Sequence, residues 1–248
     1  MRQVLISIFL VFLSACGGES GNNNSINVVP FTDAQIKETI SWVTLTGSAD
    51  VRNGRPAKIR RYSEDPALGL VRIRIYLPDA TSSSESDYRQ KFLNSVAMYN
   101  QKLSGYLFLE VFNTPLSIDS NNQGYWRVSY NTSYVPAGGN YQNYCANVSN
   151  APNSGANAYG FEAGDWTFTY NNTLNKNIFW INLNNGQNCN LTQDIVTHEI
   201  GHALGLVSGH FNGFGNGPAI SDNMWAVLFT FYKNPNNMPL DQITIYRN

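Results

Sequence analysis

Charge is what this sequence most lacks. Only 13% of its 248 residues are charged, and the formal net charge is −1. Such a chain offers no basic face to nucleic acid and no acidic run to act as a solvating tail. Its polar surface has to come from Asn, Ser, Thr, Gln and Tyr, crowded in stretches such as NNNS at 22–25 and APNSGANAYG at 151–160. That composition suits work outside the cytoplasm. Cysteine and histidine are equally scarce, with three of each. All the histidines fall between positions 198 and 210, so none is left for a catalytic triad or for a second histidine site elsewhere. No glutamate follows Glu199, which excludes a downstream glutamate ligand for any metal bound there. No interior stretch reads as a linker long enough to separate two domains, and one domain, monomeric, is expected.

An apolar run stands at the start. Met1-Arg2-Gln3 is a short positive lead, Val4 to Leu13 (VLISIFLVFL) is apolar, and Leu13-Ser14-Ala15-Cys16 follows. The tetrapeptide resembles the lipobox of bacterial lipoproteins, which implies that 1–15 is a removed signal peptide and that Cys16 carries lipid. The apolar run is well short of the roughly 20 residues that span a bilayer. Residues 16–30 then read as the lipidated cysteine and a flexible tether, and the protein is expected in the bacterial cell envelope, periplasmic or surface-exposed. The alternative is an ordinary signal peptide with an incidental cysteine. With Cys16 set aside, Cys145 and Cys189 form an even remainder in an exported chain, which favours a disulfide between them.

Thr32 to Val43 places Ile36, Ile40 and Val43 at helical spacing and predicts a short amphipathic helix. Val71 to Leu77 (VRIRIYL) alternates apolar and basic residues, as a strand with one polar face does. Ser82 to Leu103 predicts a long helix with Tyr88, Phe92, Val96 and Tyr99 turned to a sheet. Further strands are expected at Tyr106–Phe112, Tyr125–Tyr130, Trp166–Tyr170 and Asn177–Leu183, with 131–165 as a long surface loop. This order of elements belongs to an α+β domain.

The chemistry is concentrated in THEIGHALGLVSGH, Thr197 to His210. On a helix capped at Asn190, His198 and His202 lie one turn apart, about 6 Å along the axis and on one face. Two imidazoles so placed can reach one Zn²⁺ at about 2.0–2.1 Å. Glu199, beside the first of them, suits general-base work at a metal. Gly205 ends the helix, since continued helix would carry His210 away from that face. His198, Glu199, His202 and Gly205 match HExxHxxGxxH, and the segment resembles the metzincin metallopeptidases. The family's third ligand position is Ser208, whereas histidine arrives at His210. Gly209 lets the two extra residues fold into a bulge, which favours His210 as third ligand; Asp222 is the next candidate, then Ser208 or water.

The resemblance implies a zincin-like α+β domain over 70–248: a twisted mixed five-stranded sheet, a long backing helix, an active-site helix and a closing C-terminal helix at Met238–Arg247. It implies a methionine turn at Ser221–Met224, with Met224 beneath the ligands. It also implies an edge strand for peptide substrate, for which NIFWINLNN is the candidate and a core strand the competing assignment. Residues 31–69 form an N-terminal extension with no counterpart. The function implied is a membrane-tethered zinc endopeptidase acting on protein or peptide. The alternatives are a binding or adhesion lipoprotein on an inactive scaffold and a zinc amidase acting on cell-wall peptides.

Overall fold

The computed structural model describes residues 28–43, 58–59, 61–62, 64–115, 125–131, 145–149, 178–184, 190–206 and 209–247. Cys16, the tether before Val28, Ser208, Cys189 and the expected strand at 166–170 lie outside them.

The described chain is α+β, with four helices around a mixed sheet. Helix α1 is Asp33–Val43. Strands β1 (Glu64–Asp65) and β2 (Leu70–Tyr76) form a short antiparallel pair. Helix α2, Ser83–Lys102, leads to β3, Leu107–Phe112. Strands β4 (Tyr125–Tyr130), β5 (Ala146–Ser149) and β6 (Ile178–Leu183) precede helix α3, Gln193–Ala203. A small ribbon of β7 (Phe211–Asn212) and β8 (Gly215–Asn216) leads to helix α4, Asp222–Lys233.

Strands β3, β2, β4 and β6 run parallel in that spatial order, and β5 closes the far edge antiparallel to β6. The alternation in β2 works as expected: Val71, Ile73 and Ile75 are buried, while Arg72 faces out and is held by Glu110 on β3 at 2.7 Å. Each fully buried aliphatic of this kind stabilises the fold by about 1.5–3 kcal/mol. Helix α2 is capped by Ser82, whose side chain accepts from the Glu85 amide. It buries Phe92, Val96 and Tyr99 and packs against α3, with Tyr99 Oη donating to Thr197 O at 2.9 Å.

Three expectations are corrected. Among the described residues the edge of the sheet is β5, within the stretch expected to be loop, and not the NIFWINL strand; β6 is paired on both sides, with β4 and β5, which is the competing core-strand assignment. Ala146, Asn147 and Val148 are all buried, so β5 shows no alternation to read within its Asn-rich surroundings. The closing helix is α4, buried from Asn223 to Tyr232, rather than Met238–Arg247. Pro239 and the Ile243-Thr244-Ile245 run disfavour helix. Asn234 instead binds the Thr244 amide and carbonyl, and the Thr230 hydroxyl binds the Tyr246 backbone, so the terminal segment is laced along α4.

The N-terminal extension is built into this domain. Ile36, Ile40 and Val43 of α1 are fully buried against α4. The Asn223 side chain accepts from Phe31 N at 2.8 Å and donates to Val29 O at 3.0 Å. Ile59 N donates to Met238 O at 2.8 Å, and Tyr62 is buried beneath the end of α3.

Candidate metal centre

Helix α3 is capped by Thr192 rather than Asn190, its hydroxyl accepting from Ile195 N at 3.2 Å. From Val196 to Ala203 every side is buried, because the helix is wedged between α2 on one side and β5 and β6 on the other. Burying two histidines and a glutamate there is costly unless their polar atoms are used. The structure gives one nitrogen of each histidine ring a backbone partner.

Gly205 ends the helix, as the sequence predicts, at φ +117°. Its amide donates to His202 O at 3.0 Å and the Leu206 amide to Gly201 O at 3.2 Å. These two bonds make a Schellman motif, which needs a residue tolerant of positive φ at its turn. The reversal delivers the Leu206 carbonyl to Nδ1 of His202. Nδ1 of His198 meets Ala219 O at 3.0 Å. A carbonyl only accepts, so both rings carry their proton on Nδ1 and turn the Nε2 lone pair inward.

His210 comes back to the same place. One ligand atom from each of His198, His202 and His210 lies within 4.8 Å of the others, and Nε2 of His198 is 3.2 Å from Nε2 of His210. Gly209 turns the chain at φ +142°, and Asn216 Nδ2 donates to His210 O at 2.8 Å. Burial lowers the pKa of all three imidazoles, that of His198 to about 3 with His210 adding to the effect. At neutral pH the three are therefore uncharged, the form in which imidazole binds a cation. Three convergent neutral nitrogens, with the outer N–H of the His198 and His202 rings on carbonyls, fit a metal ion.

Glu199 is 1% exposed, and burial pushes its pKa up to about 8. Its Oε2 has no hydrogen-bond partner among the described residues. An unsatisfied buried carboxyl oxygen costs about 1–3 kcal/mol or more. It is retained one position from a histidine that faces the cluster.

Asp222 is no member of the cluster; it begins α4 in the first turn after the Ser221 cap. Met224 is fully buried in the first turn of α4. The ring beneath the histidines belongs to Phe214, whose centroid is 4.1 Å from that of His198 at an interplanar angle of 25°. Phe214 sits in a tight reversal in which Phe211 and Phe214 exchange backbone bonds of 3.0 and 2.8 Å. Gly215 presses directly on the ligands: a Cβ there would stand 2.6 Å from the His210 ring and 3.0 Å from that of His198. Sequence reasoning passed over these residues; the aromatic and glycine pattern of FNGFGN, between His210 and α4, was the available signal.

The end of α3 is held from below. Tyr62 Oη donates to Ala203 O at 3.2 Å and Tyr232 Oη to Leu204 O at 2.9 Å. Burial raises both phenols well above their ordinary pKa, so they stay donors. Cys145, at the entry to β5, is disulfide-bonded, with its other half outside the described residues. Comparison with known proteins finds no match to a family profile, to a curated protein or to a solved structure.

Proposed function

We propose that this chain is a zinc endopeptidase of the metzincin type, tethered to a bacterial membrane through Cys16 and acting on proteins or peptides outside the cytoplasm. The observation that carries this reading is the buried Glu199 carboxyl, whose Oε2 has no partner among the described residues, beside three converging neutral histidines. A structural cation site has no use for that carboxyl, and a hydrolytic one does.

His198, His202 and His210 would hold the ion. Three imidazoles without a carboxylate favour a borderline metal such as zinc over calcium or magnesium. Bound there, zinc supplies Lewis acidity that activates water and polarises a scissile carbonyl. Glu199 accepts the proton of the attacking water and returns it to the leaving amine. The Ala219 and Leu206 carbonyls hold the His198 and His202 rings in the Nδ1–H tautomer throughout. A substrate strand would add to the edge of β5 that no described strand pairs; β5 lies against α3. The Cys145–Cys189 pairing, proposed on cysteine count, would tie that edge strand to the segment entering α3.

The test is cleavage of a peptide library by the detergent-extracted protein, read by mass spectrometry beside Glu199→Ala, with zinc quantified in both. Cleavage by the wild type alone, with equal zinc, supports the peptidase. Equal zinc and no cleavage by either protein would overturn it in favour of a binding lipoprotein or a non-protein substrate.

A further inference from the structure

Nδ1 of His198 and Nδ1 of His202 each meet a backbone carbonyl. A hydrogen bond from Nδ1 fixes where one ring atom lies, but the ring can still pivot, because the outer torsion of histidine is broad. Something else has to set the ring planes. Phe214 lies against the rings of both His198 and His202.

Phe214 is fully buried and lies flat on His198, 4.1 Å between centroids, while meeting His202 edge-on at 4.9 Å and 67°. Phe211 packs against it at 5.2 Å and 31°. Its rim is jammed against α3: a Cβ on Gly201 would come within 2.9 Å of Phe214 Cε2. Phe211 is in turn gripped by Phe31 at 5.9 Å and edge-on by Trp42 at 6.5 Å, on either end of α1. An aromatic column therefore runs from the N-terminal extension to the metal ligands. Offset and edge-on ring contacts of this kind are directional as well as apolar.

We propose that Phe214 is the positioning residue of this metal centre, setting the planes of His198 and His202, with Phe211, Phe31 and Trp42 holding it in place. The role rests on reading the three histidines as a metal site. It also gives the N-terminal extension a function: α1 clamps the floor on which the ligands stand.

The test loads the detergent-extracted full chain with Co²⁺ in place of zinc and records the visible d–d spectrum and the affinity in competition with a chelator. Phe214→Ala and Phe214→Leu should shift the spectrum and weaken binding by about 10–100-fold, the usual effect of losing an outer contact to a metal ligand. Phe214→Met, which refills the space with a polarisable chain, should recover most of both. Circular dichroism of the metal-free forms checks folding, and if the alanine variant unfolds the leucine variant decides. An unchanged spectrum and affinity in a folded Phe214→Leu would overturn the proposal, as would a wild type that takes up no cobalt. A shifted spectrum in a protein that cleaves no peptide still supports the role of Phe214 and removes only the peptidase reading.

Discussion

Nε2 of His198 stands 3.2 Å from Nε2 of His210. With its Nδ1 proton committed to Ala219 O, the His198 nitrogen turns a lone pair toward its neighbour, and a cation between them satisfies both. Gly209, at φ +142°, turns the chain immediately before His210. His210→Ala should abolish tight binding of one zinc per chain after dialysis, while Asp222→Ala keeps it. Stoichiometric zinc of unchanged affinity in His210→Ala would remove that residue from the ligand set.

Glu199 and the histidines separate binding from turnover. Glu199→Gln keeps the shape of the side chain and removes its basicity, so zinc content should be unaltered while kcat falls about 10²–10⁴-fold, the usual weight of a positioned general base. Full activity in Glu199→Gln, measured on the best library peptide, would sink the mechanism.

The same carboxyl makes metal uptake proton-linked. With its pKa pushed up to about 8, Glu199 is largely protonated at pH 7, and a divalent cation alongside should expel that proton. Calorimetry at pH 7 in buffers of different ionisation enthalpy should find about one more proton released by wild type than by Glu199→Gln. The difference should fade above pH 8. Stability of the metal-free fold carries both signs. Between about 3 and 6.5 the folded state holds fewer protons at His198 than the unfolded state, so that contribution is lost as pH falls through this window. Between 4.5 and about 8 it holds more at Glu199, so stability there is lost as pH rises. Denaturant titrations of metal-free wild type and Glu199→Gln at several pH values should show the second loss only in wild type.

Local pattern carried the elements whose faces are one-sided. The buried series Ile36, Ile40 and Val43, the alternation in β2 and the spacing of Phe92, Val96 and Tyr99 all survive folding unchanged because each face sees one environment. The motif placed His198, Glu199, His202 and Gly205 directly. Pattern failed where burial comes from all sides or from pairing. Helix α4 is apolar nearly all round and has no periodicity to read, and β5 is four residues long within polar sequence. The Phe214 floor and the Tyr62 contact to α3 depend on segments brought together by the fold, with 141 positions separating Tyr62 from Ala203.

Gly215 tests how tightly the loop is fitted to the ligands. It sits at φ +77°, and the missing Cβ is the space His210 occupies. Gly215→Ala combines backbone strain of about 1–3 kcal/mol with a push on a ligand ring. Zinc affinity should fall about 10–100-fold, measured by chelator competition, with far-ultraviolet circular dichroism preserved. Wild-type affinity in that variant would show that the loop can yield without moving His210.

Tyr62 links the N-terminal extension to the motif helix without touching a ligand. Its hydroxyl donates to Ala203 O and accepts from Trp126 Nε1 at 3.2 Å. Tyr62→Phe keeps the ring and its edge contact with Trp126, 6.4 Å between centroids, but takes the acceptor from a fully buried indole N–H and a donor from a terminal carbonyl of α3. Leaving such groups unsatisfied costs about 1–3 kcal/mol. For a chain of this size each 1 kcal/mol lowers Tm by about 2–4 °C. The midpoint should therefore drop by several degrees in both metal-free and zinc-loaded protein, since the loss lies at the helix end and not at the cluster. Equal midpoints for Tyr62→Phe and wild type would mean that water enters to replace the phenol, and that the extension holds α3 through packing alone.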